Sequence, residues 1–267
     1  MAHCVAPSTS LGITNFPRCR LYQVAKLLAM KITLFVPCYV DAMFPKAAWS
    51  VVRVLEKLGH QIEVPKQITC CGQPPFNSGY WNEARQVAAP ALKILQDAEA
   101  VVVPSGSCAT MLKVFYPQLF QGRSEEKDAH QLSERIWEFS DFVVTKLGVT
   151  DVGARFPHRV TFHDGCHGLR ELDVKTQPRE LLNHVRDLEL IEMDEAHTCC
   201  GFGGAFAVKY ADISQAMGEV KCDSARKTGA EYLVSNDSSC LMHIQGMLQR
   251  QKRKLKTLHL AEVLASE

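Results

Sequence analysis

The chain of 267 residues has no excess of either charge, with 30 Lys and Arg against 29 Asp and Glu and a net charge of +1. No global field therefore draws it to nucleic acid or to an anionic membrane surface. No apolar run approaches the roughly 20 residues that a membrane span needs. Acidic residues are absent from the first forty positions, Asp41 being the first. Residues 1–29 thus read as an N-terminal extension outside the fold, a translated upstream segment rather than a transit peptide, with the domain starting at Met30 in "MKITLFVP". A secretory apolar core is missing too, because Lys26 interrupts the only candidate, so a cytoplasmic, reducing setting is expected. No G-x-G-x-x-G follows a strand-like run, which removes the usual nicotinamide or flavin fingerprint. The basic run "QRQKRKLK" at 249–256 reads as a solvated helix face or linker.

Cysteine, by contrast, is plentiful at eleven residues. "TCCGQ" at 69–73 returns as "TCCGF" at 198–202, and the rest of the chain repeats around it. Cys38 matches Cys166 at an offset of 128, Cys70 and Cys71 match Cys199 and Cys200 at 129, and Cys108 matches Cys240 at 132. A fixed internal period sets the architecture. Each cysteine follows a Val/Ile/Leu/Phe-rich run: "KITLFVPC" and "RVTFHDGC", "HQIEVPKQITCC" and "LELIEMDEAHTCC", "AEAVVVPSGSC" and "AEYLVSNDSSC". Helical periodicity fills the gaps, over Ala47–Leu58, Trp81–Leu95 and Ala205–Lys227. The expectation is an α/β fold of two pseudo-repeated βαβ lobes, residues 30–150 and 151–267, with mainly parallel sheets. The cysteines then lie at the C-terminal strand ends, where such sheets bind ligands.

Four thiols per lobe can be packing, disulfides or ligands. Packing suits Cys222 in a helix, and Cys4 and Cys19 in the extension, but does not demand two matched sets of four. Disulfides suit neither a reducing compartment nor the geometry of a vicinal pair. Structural zinc prefers C-x2-4-C knuckles, whereas here the cysteines stand some 30 to 40 residues apart or directly adjacent. An iron–sulfur cluster offers separate iron atoms to adjacent sulfurs and takes four thiolates. Gly72 and Gly201 permit a sharp turn beside a bulky inorganic core, and "GFGG" at 201–204 opens a helix whose free N–H groups favour negative charge.

The doubled C…CCG…C pattern resembles the cysteine-rich CCG-domain, or heterodisulfide reductase-like, family over nearly the whole chain after Met30. No C-x2-C-x2-C-x3-C-P ferredoxin run accompanies it, and a stand-alone tandem with "VPSGSCA" and "SNDSSCL" is most similar to the lactate utilization protein A group. In the heterodisulfide reductase version the last segment is CxxC; here Ser105 and Asp237 stand at its first position. That departure puts the five-cysteine cluster and its disulfide-cleaving chemistry in doubt. The resemblance implies a soluble oxidoreductase subunit of a complex that oxidises L-lactate to pyruvate. It implies one iron–sulfur cluster per lobe, of [4Fe-4S] type, on Cys38, Cys70, Cys71 and Cys108 and on Cys166, Cys199, Cys200 and Cys240. Partners would be a ferredoxin-type subunit and a third subunit of the same system, with another 2-hydroxy acid such as glycolate as the alternative substrate. A non-redox structural metal-binding module is the third reading. Hydroxy-acid oxidation needs a base and a cation. His163, Asp164 and His167 around Cys166 are the candidate catalytic residues, with His197, Arg170 and Lys209 behind them.

Overall fold

The computed structural model of the protein describes residues 29–267. The expected N-terminal extension, with Cys4 and Cys19, lies outside them apart from Ala29.

Two four-stranded sheets form, one in each half, and every strand pair in both is parallel. The first has the order β2-β1-β3-β4, from Lys31–Leu34 (β1), Gln61–Glu63 (β2), Ala100–Val103 (β3) and Ile136–Glu138 (β4). The second has the order β6-β5-β7-β8, from Arg159–His163 (β5), Glu189–Leu190 (β6), Tyr232–Ser235 (β7) and Lys256–His259 (β8). Central strands are covered on both faces, so they read as unbroken apolar runs such as the fully buried "AVVV" of β3. Edge strands alternate or are exposed, as in "QIE" of β2. The fourth strands, β4 and β8, precede no cysteine, and the sequence reading does not single them out.

Helices follow the expected periodicity with one difference. Pro45–Lys57 begins with proline, buries Ala47, Val51, Val54 and Leu55, and stops before Gly59 at φ 93°. Trp81–Leu95 forms as expected. The third stretch, however, breaks at Tyr210 (φ −129°, ψ 56°) into Ala205–Lys209 and Ala211–Lys227. The longer piece packs on Ser238–Arg250 and buries Ser214, Gly218, Lys221, Cys222 and Ala225. The shorter piece turns away, and its Ala205 and Val208 face the space beyond the cysteine ends of the strands. One straight helix could not do both.

The halves are interlocked at their ends. After β4, Phe139–Asp141 runs into a π-helical segment, Phe142–Lys146, and this element packs on Thr176–Asn183 of the second half. After β8, Leu260–Leu264 packs on Pro45–Lys57 of the first. One buried cluster therefore joins Ile32, Val51 and Phe142 to Val160, Leu181 and Leu260. The two exchanged helices are capped differently. Glu138 accepts from the Ser140 and Asp141 backbone N–H groups, at 2.8 and 3.2 Å. His259 Nδ1 accepts from Ala261 N at 3.1 Å while Nε2 donates to the Pro104 carbonyl at 3.2 Å, so the neutral ring satisfies both neighbours. Burial pushes the Glu138 carboxyl up to about 7 and the His259 imidazole down to about 4.

Candidate functional site

In a sheet of this order the chain leaves β1 and β3 in opposite directions, and the gap beyond their ends is where ligands bind. Cys38 and Cys108 follow β1 and β3, Cys166 and Cys240 follow β5 and β7, and each starts or nearly starts a helix. The vicinal pairs come in from the loops after the edge strands β2 and β6.

Their glycines have two independent reasons to be glycine. Gly72 and Gly201 sit at φ 84° and 90°, a region that favours glycine. A Cβ at Gly72 would also lie 3.0 Å from the Ala84 carbonyl oxygen, and at Gly201 only 2.5 Å from that of Ser214. The turn aims the glycine N–H at the first sulfur of each pair: Gly72 N to Cys70 Sγ and Gly201 N to Cys199 Sγ are both 3.4 Å.

All eight repeated cysteines line one cavity of about 300 Å³. Within the first lobe Cys38 and Cys70 Sγ are 4.0 Å apart, and Cys71 and Cys108 Sγ 3.4 Å. Two thiolates on one tetrahedral ion at about 2.3 Å lie about 3.8 Å apart, so these pairs are spaced as metal ligands are. The Cys38 thiol donates to Cys70, which holds Cys70 below the usual thiol range, and the Gly72 N–H adds to this. That hydrogen bond and burial push Cys38 up. Cys166 and Cys199 repeat the relation in the second lobe. All nine cysteines among the described residues are free thiols. Cys222 stands apart in the packed interior, with burial pushing its thiol up to about 11.

The lobes meet across this cavity at their backbones. The Gly106–Thr110 helix crosses the Cys166–Leu172 helix at Gly106 and Gly168, where a Cβ on Gly106 would be 3.0 Å from the Gly168 Cα. Buried Asp237 ties the same contact. Its Oδ2 accepts from Ser107 N at 2.9 Å and Ser105 Oγ at 3.4 Å, and its Oδ1 from Ser239 N at 3.2 Å and Ser239 Oγ at 2.6 Å. Ser105 and Asp237 are thus the two equivalent positions of the repeat bonded to each other. Tyr39 and Phe202 add an edge-on contact between the lobes at 5.6 Å.

Of the candidate catalytic residues, only His167 lines the cavity, its ring edge-on to Phe115 at 6.2 Å. Asp164 is buried in a bidentate pair with Arg179, at 2.7 and 3.0 Å, and Arg179 also binds Glu192. His163 is fully buried behind the cavity wall, and burial, with Lys221 nearby, takes its imidazole down to about 3. His197, Arg170 and Lys209 are exposed and away from the lining. Asp237, Ser107 and Gln73 line the cavity without having stood out in the sequence as site residues; alignment of Asp237 with Ser105 was the one available signal.

A doubled cysteine-rich α/β protein, with both sets of thiols on one cavity, is the class that fold and site define. Comparison agrees: the CCG cysteine-rich domain profile matches residues 32–113 and again 160–245. Lactate utilization protein A of Geobacillus sp. (strain WCH70) is 44% identical over 238 residues, covering 89% of this chain and 100% of that one. That of Bacillus subtilis (strain 168) matches equally, at 44% over 238 residues with the same coverage. The chain belongs to the CCG cysteine-rich domain family, within its lactate utilization protein A group. Among solved structures, a hypothetical protein from Helicobacter pylori superposes with a TM-score of 0.60 at 13% identity, over 88% of this chain and 48% of that one, and shares the fold.

Proposed function

We propose that this chain is the iron–sulfur oxidoreductase subunit of a complex oxidising L-lactate to pyruvate. The observation that carries the reading is the convergence of all eight repeated cysteines on one cavity, four from each lobe. The donor set fits the group. Cys38, Cys70, Cys71 and Cys108 would hold one [4Fe-4S] cluster, and Cys166, Cys199, Cys200 and Cys240 the other. Such clusters, when bound, supply one-electron transfer at potentials of roughly −700 to +450 mV. The remaining residues serve that end. The Gly72 and Gly201 N–H groups meet thiolate charge, Asp237 and Ser107 hold the lobes in register, and Phe202 adds apolar lining to the cavity.

Lactate loses two electrons and two protons on becoming pyruvate. Two one-electron centres suit the first, and His167 is the imidazole placed to accept a hydroxyl proton at the cavity. The lining residues include no Lys or Arg to meet a substrate carboxylate, which favours a relay role here with the hydroxy acid held largely by a partner subunit. A ferredoxin-type subunit and a third lactate-utilization subunit are the proposed partners, in the cytoplasm. Among the described residues no helix is long and apolar enough to cross a membrane.

Iron and acid-labile sulfide in the anaerobically purified full chain provide the test. About eight irons per chain are expected for two four-iron clusters, and substantially fewer refute them. A colourless protein without an electron paramagnetic resonance signal would instead be a structural metal module. Deletion of the gene is expected to abolish growth on lactate; loss of growth on glycolate alone would reassign the substrate.

A further inference from the structure

The two lobes are not chemical copies of each other. In the first, the position three residues before Cys38 carries Phe35, fully buried, and the wall behind the thiols is largely apolar. The matching position before Cys166 carries His163, equally buried. Beside it lies Lys221, also fully buried, donating to the Glu195 and Ala196 carbonyls. Neither His163 ring nitrogen has a hydrogen-bond partner of acceptable geometry. The Ala196 carbonyl is near the ring, but it already accepts from Asp164 N at 3.0 Å and Lys221 Nζ at 3.3 Å. A polar atom left buried and unpaired is destabilising, so the imidazole needs another partner. Two sulfurs are at hand. A ring nitrogen of His163, Cys200 Sγ and Cys240 Sγ all lie within 4.8 Å of one another.

We propose that His163 is a nitrogen ligand of the metal centre in the second lobe, alongside Cys200 and Cys240. The inference rests on the reading that the repeated cysteines hold metal, and it amends that reading in the second lobe, where imidazole stands in place of one of the four thiolates: thiolate only in the first lobe, thiolate with imidazole in the second. Replacing thiolate by neutral imidazole raises a cluster's potential. The second-lobe centre is then the higher of the two, and electrons pass from the first lobe to the second. The role also sets His163 apart from His167, which faces the open cavity.

Pulsed electron paramagnetic resonance of the reduced full chain decides the point. A directly coordinated ¹⁴N coupling is expected, converted to the ¹⁵N pattern by ¹⁵N-histidine labelling of the unaltered protein, lost in His163→Phe and kept in His167→Phe. The His163→Phe variant copies Phe35, and its second-lobe potential is expected to shift downwards. Absence of a histidine nitrogen coupling in the unaltered protein, or its survival in His163→Phe, overturns the assignment; the labelling arm needs no variant to fold. Should the chain take up no iron–sulfur centre, the reading of function fails by itself, and Co²⁺ titration of the metal-free protein tests the ligand set. His163→Phe is then expected to weaken one Co²⁺ site by about tenfold or more. Equal Co²⁺ affinity in the two proteins overturns the assignment.

Discussion

Gly106→Ala probes the contact on which the shared cavity depends. The added Cβ would lie 3.0 Å from the Gly168 Cα and 3.2 Å from its amide nitrogen, and both are backbone atoms that cannot rotate aside. The two helices must separate, and overpacking of this kind costs about 1–3 kcal/mol. Alanine also gains about 0.5–1 kcal/mol over glycine inside a helix, which offsets part of that loss. Gly246→Ala supplies the control, because Gly246 lies within the Ser238–Arg250 helix and a Cβ there meets nothing within 4 Å. The contact, about 1–3 kcal/mol, dominates the difference between the two variants, and the helix term, small at Gly106 as the first residue of its helix and larger at mid-helix Gly246, widens it slightly. At about 2–4 °C per kcal/mol for a chain of this size, Gly106→Ala should melt about 2–12 °C below Gly246→Ala. Thermal unfolding of the metal-free proteins measures the gap. Cys108 and Cys166 ride on the two crossing helices, so metal content should fall in Gly106→Ala and hold in Gly246→Ala. Equal melting temperatures would refute the close crossing of the lobes.

Three further outcomes are expected. Asp237→Ala strips the partner from the Ser107 and Ser239 N–H groups, and urea unfolding should show a loss of about 2–4 kcal/mol; a change below about 0.5 kcal/mol would remove Asp237 as the tie. Glu138 stays protonated in the fold up to about 7 while the unfolded chain releases the proton near 4.5, so stability falls as pH rises across that window, by about 3 kcal/mol. Glu138→Gln should flatten this component of the pH profile, and an unchanged profile counts against a buried, neutral carboxyl. His259 works in the opposite sense: the unfolded ring binds a proton below 6.5 and the folded one only near 4, so stability falls as pH drops through that interval, and His259→Asn should remove the fall.

Much of the site is legible in the sequence, because its parts are local. Cysteines at strand ends follow from apolar runs that stop at them, and the glycine after each vicinal pair follows from the turn it must make. Both depend on neighbours a few residues away, and the repeat doubles the signal. The parallel pairing follows from alternation of strand and helix, whereas the strand order and the fourth strands, β4 and β8, were not legible. The break at Tyr210 was not legible, since the periodicity of Ala205–Lys227 is continuous and only the need to cover the cavity interrupts it.

By itself, then, the sequence determined that there would be two lobes, four thiols in each, and a sheet edge to hold them. Tertiary structure alone decided that both sets face one cavity, that the end helices change places, and that Asp237 meets its own repeat counterpart Ser105. It also decided which histidine looks into the cavity and which is buried against the sulfurs. The physical reason is distance along the chain. Contacts between residues some 130 positions apart leave no periodicity to read, because they arise from how two finished lobes dock, here at a point where neither Gly106 nor Gly168 carries a side chain.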